Sequence, residues 1–341
     1  MSTIIDVCNL AGVSKTTVSR VINGTGQVKK STQDAVKAAM DQLGYRPNSL
    51  AQALARNQTN SIGLVLSDFQ GAYTGTLIKQ ASASAELVNK ELIVTDGHND
   101  CEREYEAILR LEDHRCDAIV LHSRKMSVQQ LQKLKQQLTV PLVLIHRELS
   151  EPLFHSVTFD QAGAVKIMMD HLISYGHRKI ACITGASGRP SNDARFAGYL
   201  AALKKYAIPF NRQLVKEANY GLQDGYDACQ ELIDSRQSFT ALLAFNDEMA
   251  LGALKALSDA GIQVPEQVSV AGIDNSPMAR FSHPRLSSID LPIQEMTKHA
   301  IEIALKLAAG EQCALVNEHK GKLFQRDSIL PYNANKNWLT S

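Results

Sequence analysis

Hydrophobic and polar positions near the N-terminus follow the 3.6-residue period of short helices. Three segments show this spacing, which are 3–10, the stretch after Ser14 and 35–43. Thr3 and Ser14 can cap the first two, Ser31-Thr32-Gln33-Asp34 is a capping-box variant before the third, and Gly44 ends the third. Three short helices, two of them joined by a glycine-containing turn, predict a helix-turn-helix bundle.

The second predicted helix has a polar face opposite its apolar stripe. The stripe consists of Val18, Val21 and Ile22. At about 100° per residue, Thr16, Ser19 and Arg20 lie on the opposite side, and Lys15 is exposed in the first turn. The polar face is therefore available to a partner.

From residue 61 onward, apolar runs of strand length alternate with helical patterns. The runs are 62–66, 92–95, 118–121, 141–145, 156–159, 179–184, 241–245 and 268–273. The helical patterns are 101–114, 127–138, 161–176, 193–207, 223–236 and 247–261. Strands that are apolar on both faces indicate parallel sheets covered by helices. The prediction is an all-α helix-turn-helix head (1–46), a linker (47–59) that can be helical, an α/β body (60–330) with two doubly wound parallel sheets, and a polar tail (331–341).

Charge is distributed unevenly, although the net charge is only +1. Residues 1–60 carry seven Lys or Arg and three Asp, whereas the remainder carries 29 bases and 32 acids. A basic N-terminal segment on a mildly acidic body is expected when one end of a chain binds a polyanion.

Several classes of protein lack support in the sequence. The six cysteines are scattered without a C-x-x-C pair, and no His pair has ligand spacing with an acid, so neither disulfides nor a metal site is expected. Nucleophile-elbow and phosphate-loop motifs are missing, so we expect neither an enzyme nor a cofactor. Without a signal segment or a membrane-length apolar run, we expect a cytoplasmic protein.

Polar residues follow nearly every predicted strand. Ligands of doubly wound folds bind beyond the carboxyl ends of the strands, so these residues are candidates for binding. They are Asp68, Asp96, His98, Ser123, His146, Arg147, Asp160, Gly185, Asn246, Asp247, Asp274 and Asn275. Any one of these residues is better explained as a strand end or helix cap, but the recurrence of hydrogen-bonding and acidic groups at nearly every strand end favours a ligand with many hydroxyl groups.

The chain resembles the LacI/GalR family of bacterial transcription regulators over residues 2 to about 330. The motifs that carry the resemblance are VSKTTVSRVIN (13–23), GYRPN (44–48), LAQAL (50–54), GHRKI (176–180), RFAGY (195–199), FNDEMALGA (245–253), VP (264–265), VAGIDN (270–275) and RDS (326–328). HRCDA (114–118) before a strand is most similar to the branch of galactose-operon and aryl-β-glucoside-operon repressors.

For DNA binding, the resemblance implies a second helix in the major groove. Lys15 and Thr16 would contact base edges, and Arg20 would contact guanine or phosphate. Residues that position the helix on phosphates would be Ser14, Thr17 and Asn23. Residues 48–56, including Asn48, would form a hinge helix on DNA, with Leu54 separating a central base step in the minor groove.

For the body, the resemblance implies a periplasmic-binding-protein-like pair of subdomains around an effector cleft. The N-subdomain would comprise about 60–160 and 291–321, and the C-subdomain about 161–290 and 322–330. Residues expected at the cleft are Tyr73, Asp160, Arg189, Ser191, Arg195, Tyr220, Asn246 and Asp274, with Asp247 either a further contact or only a helix cap.

Together these features predict a repressor of sugar-utilisation genes whose affinity for its operator is lowered by a galactose-type or β-glucoside-type sugar. The tail lacks leucine heptads, so we expect a homodimer on a pseudo-palindromic operator in double-stranded DNA, with no membrane partner. Alternatives are a regulator whose ligand acts as a corepressor, a sugar-binding receptor without DNA function, and a sugar-processing enzyme.

Overall fold

The computed structural model describes residues 2–46, 59–123, 125–147, 149, 153–333 and 338 of the 341-residue chain. The chain divides into two compact units, Met1–Asn60 and Ser61–Ser341. Among the described helices, none combines the length and hydrophobicity that a membrane span requires. Each unit has its own hydrophobic core.

Residues 2–46 of the N-terminal unit form three helices. They are α1 (Ile4–Ala11), α2 (Lys15–Asn23) and α3 (Lys30–Leu43). The predicted caps of the first two are confirmed, because the side chains of Thr3 and Ser14 accept hydrogen bonds from the backbone N–H groups of Asp6 and Thr17. The apolar stripes meet in a small core, which consists of Val7, Val18, Val36 and Ala39.

The predicted start of the third helix is wrong. Helix α3 begins at Lys30, its N-cap is Lys29, and no side chain caps it. The backbone N–H groups of Thr32 and Gln33 already donate to the Lys29 carbonyl, so the 31–34 segment is helical and cannot act as a cap outside the helix.

The described residues of the body form twelve strands in two six-stranded sheets. They are β1 (Ser61–Leu66), β2 (Glu91–Asp96), β3 (Ala118–His122), β4 (Leu142–Ile145), β5 (His155–Phe159), β6 (Ile180–Gly185), β7 (Val215–Ala218), β8 (Ala241–Ala244), β9 (Ser269–Asp274), β10 (Ser287–Asp290), β11 (Val316–His319) and β12 (Lys322–Phe324). The sheet orders are β11-β5-β4-β3-β1-β2 and β12-β10-β9-β8-β6-β7. All pairings are parallel except that of β10 with β12, so the predicted parallel sheets are confirmed apart from one edge strand.

Helices cover the sheets. They are α4 (Gly71–Glu86), α5 (Cys101–Asp113), α6 (Val128–Gln137), α7 (Gln161–Ser174), α8 (Pro190–Lys205), α9 (Leu222–Asp234), α10 (Asp247–Asp259) and α11 (Ile293–Ala308), with 3-10 turns at Arg212–Leu214 and Pro277–Arg280. All eight predicted strands and all six predicted helices of the body are present. The prediction missed six elements, which are α4, α11, β7, β10, β11 and β12.

The chain passes between the two sheets three times, after β5, after β10 and after β11. Two crossings lie side by side, because the Asp160 N–H donates to the His319 carbonyl at 2.9 Å. Gly321 lies close to a third element, since a Cβ on it would be 2.5 Å from Ile289 Cγ2. The crossings therefore form one bundle at the junction of the sheets.

Helices α9 and α10 approach each other through two glycines. A Cβ on Gly252 would lie 2.0 Å from the Leu222 carbonyl oxygen, and one on Gly225 would lie 2.3 Å from Met249 Cα. These obstacles are backbone atoms, which a rotamer change cannot move. The close approach holds together the N-terminal ends of both helices, where Tyr220 and Asn246 are located.

We expect Gly252→Ala to destabilise the protein by about 1–3 kcal/mol, as overpacking of a tight contact does. Gly75→Ala is the matched control, because a Cβ on this glycine of α4 meets nothing within 4 Å. The control gains up to about 1 kcal/mol from helix propensity. Urea unfolding followed by circular dichroism measures both, and equal effects of the two variants would contradict the close-packing explanation.

Candidate functional site

Helix α2 exposes the residues that were predicted to contact DNA. Lys15, Thr16 and Arg20 are exposed, while Val18 is buried in the core of the unit. No acidic residue lies in the first turn of the helix. The exposed face therefore presents cationic and hydroxyl donors together.

The other predicted DNA contacts of the unit make local hydrogen bonds. Ser14 Oγ accepts from the Thr17 N–H at 3.2 Å and lies 2.9 Å from Thr17 Oγ1. Asn23 Nδ2 donates to Ser19 Oγ at 3.1 Å. Asn48 and Leu54, together with the rest of the predicted hinge from 47 to 58, lie outside the described residues.

Two adjoining cavities in the body form a cleft between the carboxyl ends of the two sheets. The outer cavity has a volume of about 640 Å³ and the inner cavity about 140 Å³. Residues that line both are Tyr73, Arg189, Tyr220, Asn246, Asp274 and Leu291. Tyr73 comes after β1 in the chain. Asn246 comes shortly after β8, and Asp274 is the last residue of β9.

The cleft brings together seven of the eight predicted effector residues. They are Tyr73, Arg189, Ser191, Arg195, Tyr220, Asn246 and Asp274. Asp160 does not line either cavity. Its carboxylate instead caps α7 by accepting a hydrogen bond from the Gly163 N–H at 2.7 Å. For this strand-end residue, the helix-capping role is therefore the observed one.

Arg195 joins three elements at the inner end of the cleft. The side chain is only 6% exposed. Its Nε donates to Gln161 Oε1 at 2.6 Å, one Nη donates to the Phe245 carbonyl, and the other lies 3.7 Å from Asp274 Oδ1. Each of its three nitrogens thus has a partner within the protein, and the charge of the guanidinium helps to position the Asp274 carboxylate.

Asn246 has a similar positioning role. Its Oδ1 accepts from the Met249 N–H at 2.9 Å and caps α10, while its Nδ2 donates to the Tyr220 carbonyl at 2.8 Å. Tyr220 has a φ of 71°, in the left-handed region that is costly for a bulky residue. The Asn246 amide therefore helps to hold Tyr220 in the conformation that faces the cleft.

An aromatic cluster forms the wall on the side of the first sheet. The ring of Tyr73 lies 5.5 Å from that of His122 and 5.2 Å from that of His146. His122, Gln161 and Leu291 line the inner cavity but were not among the predicted residues. His122 and Gln161 are adjacent to the predicted Ser123 and Asp160, so extending the strand-end rule by one residue on each side would have found them. Leu291 follows β10, a strand that the sequence analysis missed.

Asp247 does not cap its helix, because Asn246 does. The Asp247 carboxylate is 1% exposed and accepts hydrogen bonds from Ser288 Oγ and the Ser276 N–H, both at 2.6 Å. Burial raises the pKa of Asp247 to about 6, and the hydrogen bonds from the two serines limit the increase. The carboxylate thereby fixes the loop after β9, which forms one wall of the outer cavity.

Among the described residues, no group of three or more His, Cys, Asp or Glu side chains could hold a metal ion. The six cysteines are unpaired, and three of them are buried, which are Cys116, Cys182 and Cys229. The cleft therefore offers hydrogen bonds, charge and aromatic surface to a ligand.

Comparison with known proteins identifies both units. Residues 3–48 match the model for bacterial regulatory proteins of the lacI family, and residues 169–329 match that for the periplasmic binding protein-like domain. The HTH-type transcriptional regulator AscG of Escherichia coli K12 is 36% identical over 332 residues, which are 97% of this chain and 99% of AscG. The chain belongs to the LacI family. Regulator GalS of Salmonella typhimurium LT2 is 37% identical, with 91% of each chain covered.

The LacI-family assignment also agrees with the fold. A crystal structure of the Lac repressor dimer bound to operator and the anti-inducer ONPF superimposes with a TM-score of 0.90 and 25% identity, covering 96% of this chain and 99% of that one. The predicted branch is supported by AscG and GalS, which are transcriptional regulators and not enzymes. The family thus accounts for a helix-turn-helix unit and a ligand cleft in one chain.

The raised pKa of Asp247 predicts a pH dependence of stability in this LacI-family protein. Between about pH 4 and 6 the folded state keeps a proton that the unfolded state releases, so the free energy of unfolding falls as the pH rises through this window. The difference between the pKa of about 6 and the ordinary pKa of 3.8 corresponds to about 3 kcal/mol in the free energy of unfolding. This contribution is lost by about pH 6.

Urea unfolding of the wild type and Asp247→Asn between pH 4.5 and 7.5 tests this. As the pH rises through this window, we expect the wild type to lose stability relative to Asp247→Asn, because Asn does not ionise. The exposed Asp227, changed to Asn, controls for the loss of one carboxylate. A pH-independent difference for Asp247→Asn would show that burial does not raise its pKa.

Proposed function

We propose that the protein is a homodimeric, sequence-specific DNA-binding repressor of sugar-utilisation genes, and that a bound sugar lowers its affinity for the operator. The observation that carries the proposal is the presence, in one chain of the LacI family, of an exposed polar helix in a helix-turn-helix unit and of a polar cleft in the body. A repressor acting on bacterial genes works in the cytoplasm.

In the N-terminal unit, we assign base recognition to Lys15 and Thr16 in the first turn of α2. Their exposure supports the assignment, since the buried Val18 turns this face away from the core. Arg20, one turn later, reaches guanine or phosphate. Phosphate contacts that position the helix are assigned to Ser14, Thr17 and Asn23.

In the body, we assign effector binding to the cleft. Asp274 accepts hydrogen bonds from sugar hydroxyls, and Arg195 orients Asp274. The 3.7 Å separation of their charged groups supports these two roles. Tyr73 and Tyr220 offer aromatic faces to the apolar side of a sugar ring. The three crossings between the sheets support the division into subdomains 60–160 with 291–321 and 161–290 with 322–330.

We assign communication between the ligand and DNA to residues 47–59. A hinge that folds only on DNA makes operator affinity sensitive to any change in the body, because its folding free energy is part of the binding free energy. Asn48 and Leu54 belong to this assignment. The twofold symmetry of a dimer requires a pseudo-palindromic operator.

Operator binding tests the DNA-reading assignment. We expect Lys15→Ala and Thr16→Ala to lose discrimination between an operator from upstream of the gene and its base-substituted versions, by about 1–3 kcal/mol per lost base contact. Lys29→Ala is the control, because Lys29 is exposed at the start of α3 and outside the recognition face. Fluorescence anisotropy at two salt concentrations measures each affinity, and a loss of discrimination in Lys29→Ala alone would refute the assignment.

The response to sugar tests the cleft. We expect Asp274→Asn to bind the operator normally but to need at least about tenfold more galactoside or β-glucoside for release, since an amide accepts a weaker hydrogen bond than a carboxylate. Asn tolerates the φ of 115° at this position better than Ala does. The control is Asp170→Asn, a half-exposed residue of α7 that pairs with Lys205 and lines neither cavity. Tighter operator binding with sugar would instead identify a corepressor, and no specific binding under any condition would contradict the repressor proposal.

A further inference from the structure

The two cavities of the cleft carry opposite charge. The outer cavity is lined by six carboxylates and two arginines, which are Asp68, Asp247, Glu248, Asp274, Asp290, Glu295, Arg189 and Arg280. The inner cavity is lined by three arginines and one carboxylate, which are Arg147, Arg189, Arg195 and Asp274. Because Arg195 pairs with Asp274, the inner cavity retains the positive charges of the other two arginines.

Arg147 contributes one of these two charges, from the loop after β4 of the first sheet. Its Nε and one Nη are buried without a hydrogen-bond partner among the described residues. Burial lowers the pKa of Arg147, and the Glu104 carboxylate partly offsets this effect. Glu104 Oε2 accepts a hydrogen bond from Ser123 Oγ, so the Glu104 carboxylate acts on Arg147 through its charge and not through a described hydrogen bond. A buried guanidinium with open donors is costly unless an anion compensates it.

Arg189 contributes the second charge from the opposite sheet. Its guanidinium lies over the Tyr220 ring at 5.7 Å from the ring centre, and no described carboxylate forms an ion pair with it. Arg189 immediately precedes α8, a 16-residue helix whose N-terminus has no side-chain cap. Ser191, in the first turn, also lines the inner cavity. The backbone dipole at this end adds to the positive potential that the arginines create.

We propose that the effector is a phosphorylated sugar whose phosphate binds in the inner cavity to Arg147 and Arg189. This rests on the proposed function, because it specifies the ligand of the same cleft. A phosphate carries close to two negative charges near neutral pH and so matches two unpaired guanidiniums, which bind its oxygens in bidentate fashion. The acidic outer cavity repels the phosphate and accepts hydrogen bonds from the hydroxyls of the remaining sugar, which fixes the orientation of the ligand.

Isothermal titration calorimetry on the full-length protein tests the proposal. The probes are galactose and phenyl β-glucoside, each with its 6-phosphate, together with phenyl β-glucuronide as a sugar acid. We expect at least one 6-phosphate to bind at least about tenfold more tightly than its parent sugar, with an affinity that falls as salt increases.

Arginine variants locate the phosphate. We expect Arg147→Met and Arg189→Met each to weaken binding of that 6-phosphate by about tenfold to a hundredfold, and to weaken binding of the parent sugar by a factor at least about tenfold smaller. Arg103→Met is the matched control, because Arg103 is exposed on α5 and lines neither cavity. Should Arg147→Met fail to fold, Arg189→Met decides, since the Arg189 side chain is half-exposed and its recorded contact within the described part of the chain is with the Tyr220 ring.

Two results would overturn the proposal while leaving the repressor function intact. One is release from the operator by an unphosphorylated sugar that binds as tightly as its 6-phosphate, and the other is equal affinity for the glucuronide. Failure to bind the operator, or to respond to any sugar, would instead contradict the proposed function itself. Measuring operator binding alongside each titration separates the two failures.

Discussion

The cleft depends on the buried guanidinium of Arg195. A charge that is only 6% exposed must be compensated within the protein, and the compensation comes from three separate elements. Gln161 begins the first helix after a crossing between the sheets, Phe245 directly follows β8, and Asp274 ends β9. Because the planar guanidinium contacts all three residues, their relative positions are fixed before a ligand binds. The ligand therefore binds to a preformed surface.

Close backbone approach provides the second constraint on the cleft. Gly225 and Gly252 let α9 and α10 pack against each other, and the Asn246 amide then joins the beginnings of both helices by binding the Tyr220 carbonyl. The left-handed conformation of Tyr220 is retained because its surroundings hold it. The glycines therefore matter for ligand binding although they lie away from the ligand, since they determine where the aromatic ring is placed.

The sequence predicted the buried strands well and the edges of the sheets poorly. Apolar runs such as 62–66 and 241–245 are buried on both faces, so hydrophobicity alone reveals them. β11 and β12 are short edge strands without a fully buried residue, and the capping motif at 31–34 lies inside a helix that begins at Lys30. For the site, strand ends located most of the cleft. Asp160 was misplaced because a carboxylate after a strand can cap a helix equally well, and only the three-dimensional structure distinguishes the two.

Regulation requires that a ligand bind two conformations of the protein with different affinity. The walls of the cleft come from both sheets, with Tyr73 and Arg147 from the first and Arg189 and Asp274 from the second. In the described part of the chain, three covalent crossings and noncovalent packing connect the two sheets. A ligand that contacts both walls of the cleft therefore makes more contacts when the two walls are closer together. Its binding free energy then depends on their separation. A factor of ten in affinity between two separations supplies about 1.4 kcal/mol of coupling, which is within the usual range for allosteric proteins.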